Sequence, residues 1–175
     1  MSGMKRLVPV LLLAGLAVGP AASQTSALKG HNSNAPVDVA ADRIEVQDRA
    51  DRAIFSGNVV VRQAELTLTA ARLTVAYSSG GGVELRRIDA TGGVTVKSPS
   101  ETARGNVGIY DLDRRIITLI GDVSLVQRDA KVNGGRLTID LDSGRAVMDG
   151  GGPPGTSRQG GRVTGTFTVP QKKGG

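Results

Sequence analysis

From residue 37 onward, apolar and polar positions follow a period of two rather than the three-to-four spacing of a helix. Val59-Val60-Val61, Leu66-Thr67-Leu68-Thr69, Leu73-Thr74-Val75, Val94-Thr95-Val96 and Leu137-Thr138-Ile139 are short segments rich in β-branched residues. Gly, Asn, Asp and Ser separate them every six to twelve residues, which is strand-and-turn punctuation. No window carries a helical stripe, so the pattern predicts an all-β chain. Strand side chains alternate, so parity sorts residues by face. Phe55, Gly57, Val59 and Val61 share one face, against Ile54, Ser56, Asn58 and Val60. Ile117, Leu119, Gly121, Val123 and Leu125 oppose Thr118, Ile120, Asp122 and Ser124. Val37, Val39 and Ala41 oppose Asp38, Ala40 and Asp42; Tyr110 and Leu112 oppose Ile109, Asp111 and Asp113. Parity thus predicts one apolar, concave lining and one largely solvated outer face.

The pattern also repeats. Phe55-Ser56-Gly57-Asn58-Val59-Val60-Val61 returns, 64 residues on, as Leu119-Ile120-Gly121-Asp122-Val123-Ser124-Leu125. With the same offset Ala71-Arg72-Leu73-Thr74-Val75 becomes Gly135-Arg136-Leu137-Thr138-Ile139, and Gln63 becomes Gln127. Thr91-Gly92-Gly93-Val94-Thr95-Val96 and Met148-Asp149-Gly150-Gly151 are half-unit echoes. Read as turn residues, Gly57, Gly92, Gly121 and Gly150 are spaced 35, 29 and 29 apart. An imperfect repeat of about 30 residues, each unit a few short strands, predicts stacked layers of one curved sheet.

The two ends differ from this body. Lys5 and Arg6, an uncharged apolar run over 7–19 and the small residues around Ala21 and Ser23 read as a cleaved secretory signal, residues 1–23. Residues 24–35 read as a flexible N-terminal arm, 36–152 as the β body, 153–169 as a linker with a possible last strand, and 170–175 as a disordered basic tail. The net charge of +6 gathers at these ends, leaving the body near balance and without the basic face that nucleic acid requires. Four aromatic residues, Phe55, Phe167, Tyr77 and Tyr110, are too few for a base-stacking platform. The chain has no Cys, so disulfides, thiolate chemistry and Cys-metal sites are excluded.

No catalytic residue, metal ligand or cofactor site emerges from the remaining candidates. His31, the one His, lies in the polar arm and is expected to be exposed, far from any triad. Asp140-Leu141-Asp142-Ser143-Gly144 and Asp111-Leu112-Asp113 resemble half a calcium loop but lack its terminal Glu, and suit hairpin turns better. Gly80-Gly81-Gly82 lacks the Lys-Ser or Lys-Thr of a phosphate loop and reads as a hairpin tip. No carboxylate is expected within the apolar face, which argues against paired-carboxylate hydrolysis.

Phe55 to Gln63 with Ala71 to Val75, repeated as Leu119 to Gln127 with Gly134 to Thr138, resembles the signature of the OstA-type family. The similarity extends over residues 36–169 and is nearest to the family's soluble bridge component. It implies a twisted, incompletely closed β-jellyroll with a V-shaped section. It implies lipopolysaccharide as cargo, with the lipid A acyl chains inside, and a periplasmic location. It further implies head-to-tail contacts with further copies, with an inner-membrane transport protein C and with an outer-membrane receptor protein D. By position, Val37, Val39, Val96, Tyr110 and Leu112 match lipid-contacting interior sites of the family. With the parity set Phe55, Val59, Val61, Ile117, Leu119, Val123 and Leu125 they form the expected groove lining. This chain departs from the family in being poor in aromatic residues; Val96 stands where a larger ring can occur. Two other readings fit the same pattern: a scaffolding β-protein whose apolar face is a filled core, and an accessory to a lipid-linked enzyme.

Overall fold

The computed structural model of the chain describes Leu28 and residues 31–128, 130–151 and 161–168. The expected signal segment (1–23) and basic tail (170–175) lie outside the described residues. Ten strands follow in order: β1 (Val37–Ala40), β2 (Arg43–Gln47), β3 (Arg52–Gln63), β4 (Leu66–Ser78), β5 (Glu84–Lys97), β6 (Glu101–Asp111), β7 (Ile116–Gln127), β8 (Ala130–Asp140), β9 (Arg145–Asp149) and β10 (Thr164–Phe167). All belong to one antiparallel sheet in which β3 to β8 pair in chain order. A single 3₁₀ turn at Asp48–Ala50 joins β2 to β3. The sheet does not close: β1 and β2 flank one side of β3, and β9 and β10 flank one side of β8.

The six long strands share a bend at the same level, and β4–β5 carries a further register shift at Ala76/Tyr77. The register slips between Ser56 and Val59, Thr69 and Arg72, Thr91 and Val94, Arg104 and Val107, and Ile120 and Val123. On β3, β5 and β7 the bend is a pair of left-handed residues: Gly57-Asn58, Gly92-Gly93 and Gly121-Asp122. Opposite them the neighbouring strands β4, β6 and β8 contribute one residue fewer, which is the geometry of a β-bulge and sharpens the local twist. Lined up across the sheet, these bulges make a crease that folds it into two facing limbs. The first limb holds the 52–56 end of β3 with β2 and β9; the second holds the 59–63 end with β1 and β10.

The crease explains where the glycines stand. Gly57, Gly92 and Gly121, expected to be turn residues between short strands, sit in mid-strand instead. Segments such as 66–69 and 73–75 are therefore two halves of one bent strand, β4. The repeat unit is a hairpin of two long bent strands, and the 64-residue offset carries β3–β4 onto β7–β8. A side chain could not replace the hydrogen at the crease: a Cβ on Gly92 would lie 2.6 Å from that of Ala71. Gly80, in the β4–β5 connection, has nothing within 4 Å of a Cβ, in keeping with its reading as a hairpin tip.

The bulges also govern parity. Two extra residues keep the inward set of β3, β5 and β7 in phase. On β4 a single residue, Ala71, shifts it, from Leu66, Leu68 and Ala70 to Leu73 and Val75. The outer face carries cross-strand threonine pairs, Thr69 with Thr95 and Thr118 with Thr138, which suit a half-solvated pleated surface.

Gly92→Val is expected to lower unfolding free energy by roughly 2–4 kcal/mol, through a disfavoured positive φ and overlap with Ala71. Gly80→Ala should change it by less than about 0.5 kcal/mol. Urea unfolding of the two variants checks the contrast.

Candidate functional site

Registered pairing lines the inner face with continuous apolar rows that run across the strands, from one sheet edge to the other. In the second limb the row is Val39, Val61, Leu68, Val96, Ala103, Leu125 and Val132. The first limb carries two. One runs Val46, Ala53, Val75, Ile88, Tyr110, Ile117, Ile139 and Ala146. The other runs Ile44, Phe55, Leu73, Ala90, Gly108, Leu119, Leu137 and Met148.

The rows meet differently along the trough. Over β5 and β6 the inner residues include Ala90, Ala103, Gly105 and Gly108, and the limbs close on one another there. A Cβ on Gly108 would stand 2.9 Å from Val94 Cγ1 of the facing limb. Val59, Val61, Val96, Tyr110, Ile117, Leu119, Val123 and Leu125, all expected to line a groove, are buried on the inner face, Leu125 beside one of the open ends. Val37, Val39, Phe55 and Leu112 are partly buried at its margin. The expected lining therefore lies on one inner face throughout, with most of it packed limb against limb.

Open space lies at the two ends. A cavity of about 650 Å³ opens beside β1–β5, between Val37, Val39, Val46, Phe55, Val75 and Leu85. A second, about 280 Å³, opens beside β7–β10, between Leu125, Leu137, Met148, Val163 and Phe167. Large apolar side chains stay exposed at these mouths: Ile44, Val46 and Val83 at one, Val163 and Phe167 at the other. Parity did not single out Val46 or Val83: Val46 is exposed because no described strand lies beyond β2, and Val83 because it stands in the β4–β5 connection.

The tips of the limbs carry polar groups, and one cluster bridges them. Tyr110 Oη, in the first limb, donates to Gln63 Oε1, in the second, at 2.9 Å. Burial raises the Tyr110 phenol above its ordinary pKa, so it remains a donor at neutral pH. Gln63 Nε2 donates to the carbonyls of Ser33 (2.9 Å) and Ala35 (3.0 Å), which fixes the orientation of the amide. His31 is not the exposed arm residue expected: its side chain is fully buried, with Nε2 3.1 Å from Gln63 Oε1 and Nδ1 3.2 Å from Glu65 Oε1. The Glu65 carboxyl is held below its usual range by its own backbone N–H and, secondarily, by His31. A second correction concerns the carboxylates. Glu101 does occupy the inner face, buried at the tip of the second limb, where Gln127 Nε2 donates to Glu101 Oε2 at 3.2 Å. The half-loops act as turns: Asp140 Oδ1 accepts from the Asp142 and Ser143 backbone, and Asp111 Oδ1 from the Arg114 N–H.

A single folded sheet with an apolar inside, open at both ends, defines the class of incompletely closed β-jellyrolls. The chain belongs to the family described as LptA/(LptD N-terminal domain) LPS transport protein, whose pattern it matches over residues 38–145. It is 25% identical over 149 residues to the lipopolysaccharide export system protein LptA of Haemophilus influenzae, covering 82% of this chain and 85% of that one. An uncharacterized protein of Rhizobium meliloti is 31% identical over 145 residues, covering 79% and 78%. LPS-assembly protein LptD of Yersinia pestis is 35% identical over 88 residues, which is 49% of this chain and 11% of LptD. The fold is similar to the crystal structure of LptH, the LptA-homologous periplasmic component of the lipopolysaccharide transport device of Pseudomonas aeruginosa. That match has a TM-score of 0.70 at 18% identity and covers 79% of this chain and 99% of LptH. The family and the incompletely closed jellyroll read from the repeated motifs both hold.

Leu119→Ala, in the closed middle, is expected to cost about 2–5 kcal/mol of stability. Tyr110→Phe should cost only about 1 kcal/mol, because Gln63 Oε1 keeps His31 as a partner. Denaturation midpoints at constant slope distinguish the two.

Proposed function

We propose that this protein is a periplasmic lipopolysaccharide-binding transport protein. It shields lipid A acyl chains in the trough and forms part of a bridge between the inner and outer membranes. The observation that carries the reading is the coincidence of two features at each end of the sheet: an open apolar mouth and a strand edge that no further described strand pairs. Each buried methylene is worth about 0.8 kcal/mol, so a chain of a dozen costs on the order of 10 kcal/mol to leave in water. Apolar rows that run from mouth to mouth remove that cost without any chemical step. Movement along them requires only similar affinity at successive positions, and the driving force comes from the membrane that supplies the cargo.

The edges provide the means of assembly. β1 runs from limb tip to crease and β2 from crease to tip, whereas β9 runs from tip to crease and β10 from crease to tip. Stacking one copy's β9–β10 end on the next copy's β1–β2 end therefore sets β9 against β2 and β10 against β1, antiparallel in both limbs. The lengths agree: five residues each in β2 and β9, four each in β1 and β10. Such strand addition uses main-chain hydrogen bonds and joins the two mouths. An inner-membrane protein C and an outer-membrane receptor protein D would occupy the terminal edges of the row by the same pairing. An export signal at residues 1–23 would deliver the chain to this compartment.

A filled-core scaffold is the second reading, and the closed middle favours it. Against it stand the exposed Val46, Val83 and Phe167, which a scaffold has no reason to leave in water.

Native mass spectrometry of the protein purified from its membrane-bearing host is expected to find bound lipid A species; a lipid-free spectrum supports the scaffold. Val46→Asp, at an exposed mouth position, should leave the fold intact and lower uptake of a lipid A analogue by about tenfold, the factor of a penalty near 1.4 kcal/mol. For the bridge, the Cys-free background allows Glu45→Cys on β2 and Val147→Cys on β9. Oxidation should give a ladder of linear oligomers from the double variant, and no species beyond dimers from either single one.

A further inference from the structure

The side opening of the trough is filled by the chain itself. Leu28 is 2% exposed and belongs to the same buried cluster as Leu119 and Val61. Residues 31–35 then cross between the limb tips. On the second limb they are held by His31 to Gln63 and Glu65, and by the Ser33 and Ala35 carbonyls to Gln63. On the first limb Arg115 Nη2 donates to Asn34 Oδ1 at 3.2 Å, while Arg115 Nη1 pairs with Asp142 at 3.0 Å. The segment thus ties the β3–β4 end of one limb to the β6–β7 turn of the other and, through Arg115, to the β8–β9 turn.

We propose that this seat is a binding site for acyl chains that the protein occupies in cis: Leu28 stands in for hydrocarbon, and 31–35 is a strap that cargo displaces. The inference rests on the lipid-carrier reading above and adds how the middle of the trough is reached. Three features support it. Among its described residues the strap contributes one apolar side chain, Leu28, to the buried core and is held by polar contacts at its ends. Those contacts converge on Gln63, whose amide serves His31, Tyr110 and two strap carbonyls at once. Release of the strap leaves Tyr110–Gln63 as a side-chain bond across the tips, and spreading the limbs breaks that bond too. Finally, Gln63 and Glu101 place polar groups at the rim while the rows beneath are apolar, an arrangement that suits an amphiphile with its head at the opening.

The test uses the full chain and a lipid A analogue bearing one fluorescent acyl chain. Loss of one or two strap contacts should raise the open population roughly five- to thirtyfold. His31→Ala, with the milder Asn34→Ala beside it, should load the analogue faster by that factor. In a chain with Leu28→Cys as its only thiol, maleimide labelling should be slow without lipid and should quicken as the analogue is added. Asn34→Cys with Arg115→Cys, bridged by a short bismaleimide, should lose loading that the unbridged form retains. Unchanged loading rates in both alanine variants and full loading of the bridged chain would overturn the strap while leaving the carrier in place. So would Leu28→Cys labelling that lipid does not alter. No uptake by any form, the unaltered chain included, would overturn the carrier reading and the strap with it. Urea midpoints near that of the unaltered protein confirm that each variant is folded.

Discussion

One constraint organises the molecule: a lone sheet has no second layer to cover its apolar face. In a sandwich two sheets bury each other, and a barrel closes on itself. Here the sheet covers itself by folding along a crease, limb on limb. The crease works because every long strand bends at the same level, so that no pair loses more than a residue or two of its ladder. Gly57, Gly92 and Gly121 adopt positive φ there, and each stands against a neighbour that leaves no room for a Cβ. The depth of the trough, its closed middle and its open ends follow from where that line of bulges lies.

Because the sheet is folded and not closed, its ends remain unfinished. β1 with β2, and β9 with β10, are short, one per limb, and each has a neighbour on one side only among the described residues. Short edge strands are a usual defence against aggregation, yet these carry Ile44, Val46 and Phe167 at the open mouths. Exposed apolar rows and sheet edges with no further described strand, at the same place, are the features that the proposed stacking of sheet on sheet would use.

Much of this was legible in the sequence, and the crease marks where legibility stops. On β3 and β7 the two-residue bend preserves parity, so Phe55, Val59 and Val61, and Ile117, Leu119, Val123 and Leu125, sort correctly to one face. On β4 the alternation jumps at Ala71, and a period-two reading cuts the strand into two short ones. The 64-residue repeat survived because it compares like strand with like, and the family followed from it. His31 was not legible: its partners Gln63 and Glu65 lie more than thirty residues away, and nothing local marks a polar residue as one that will be buried. The mouths were not legible either, because Val46 and Val83 have the same pattern as core residues. The lack of a further described strand exposes Val46, and a place in the β4–β5 connection exposes Val83.

A trough shut in its middle resembles a filled core, but on the proposed reading the magnitudes allow it to open. The limbs meet through apolar contact and through Tyr110–Gln63, a neutral hydrogen bond with a net worth of about 1 kcal/mol. Parting them exposes valine and leucine surface, at about 25 cal/mol per Å², which an inserted acyl chain covers again at the same rate. Contact between limbs is thus exchanged for contact with cargo, and the balance stays near zero along the rows. What remains is the cost of parting the limb tips, small beside the roughly 10 kcal/mol of a dozen methylenes left in water. A carrier that had to stay open would expose its whole lining to water whenever it was empty. On the carrier reading proposed above, one that folds shut on small residues such as Ala90, Gly105 and Gly108 avoids that exposure, and its closed middle would be the resting form of a trough.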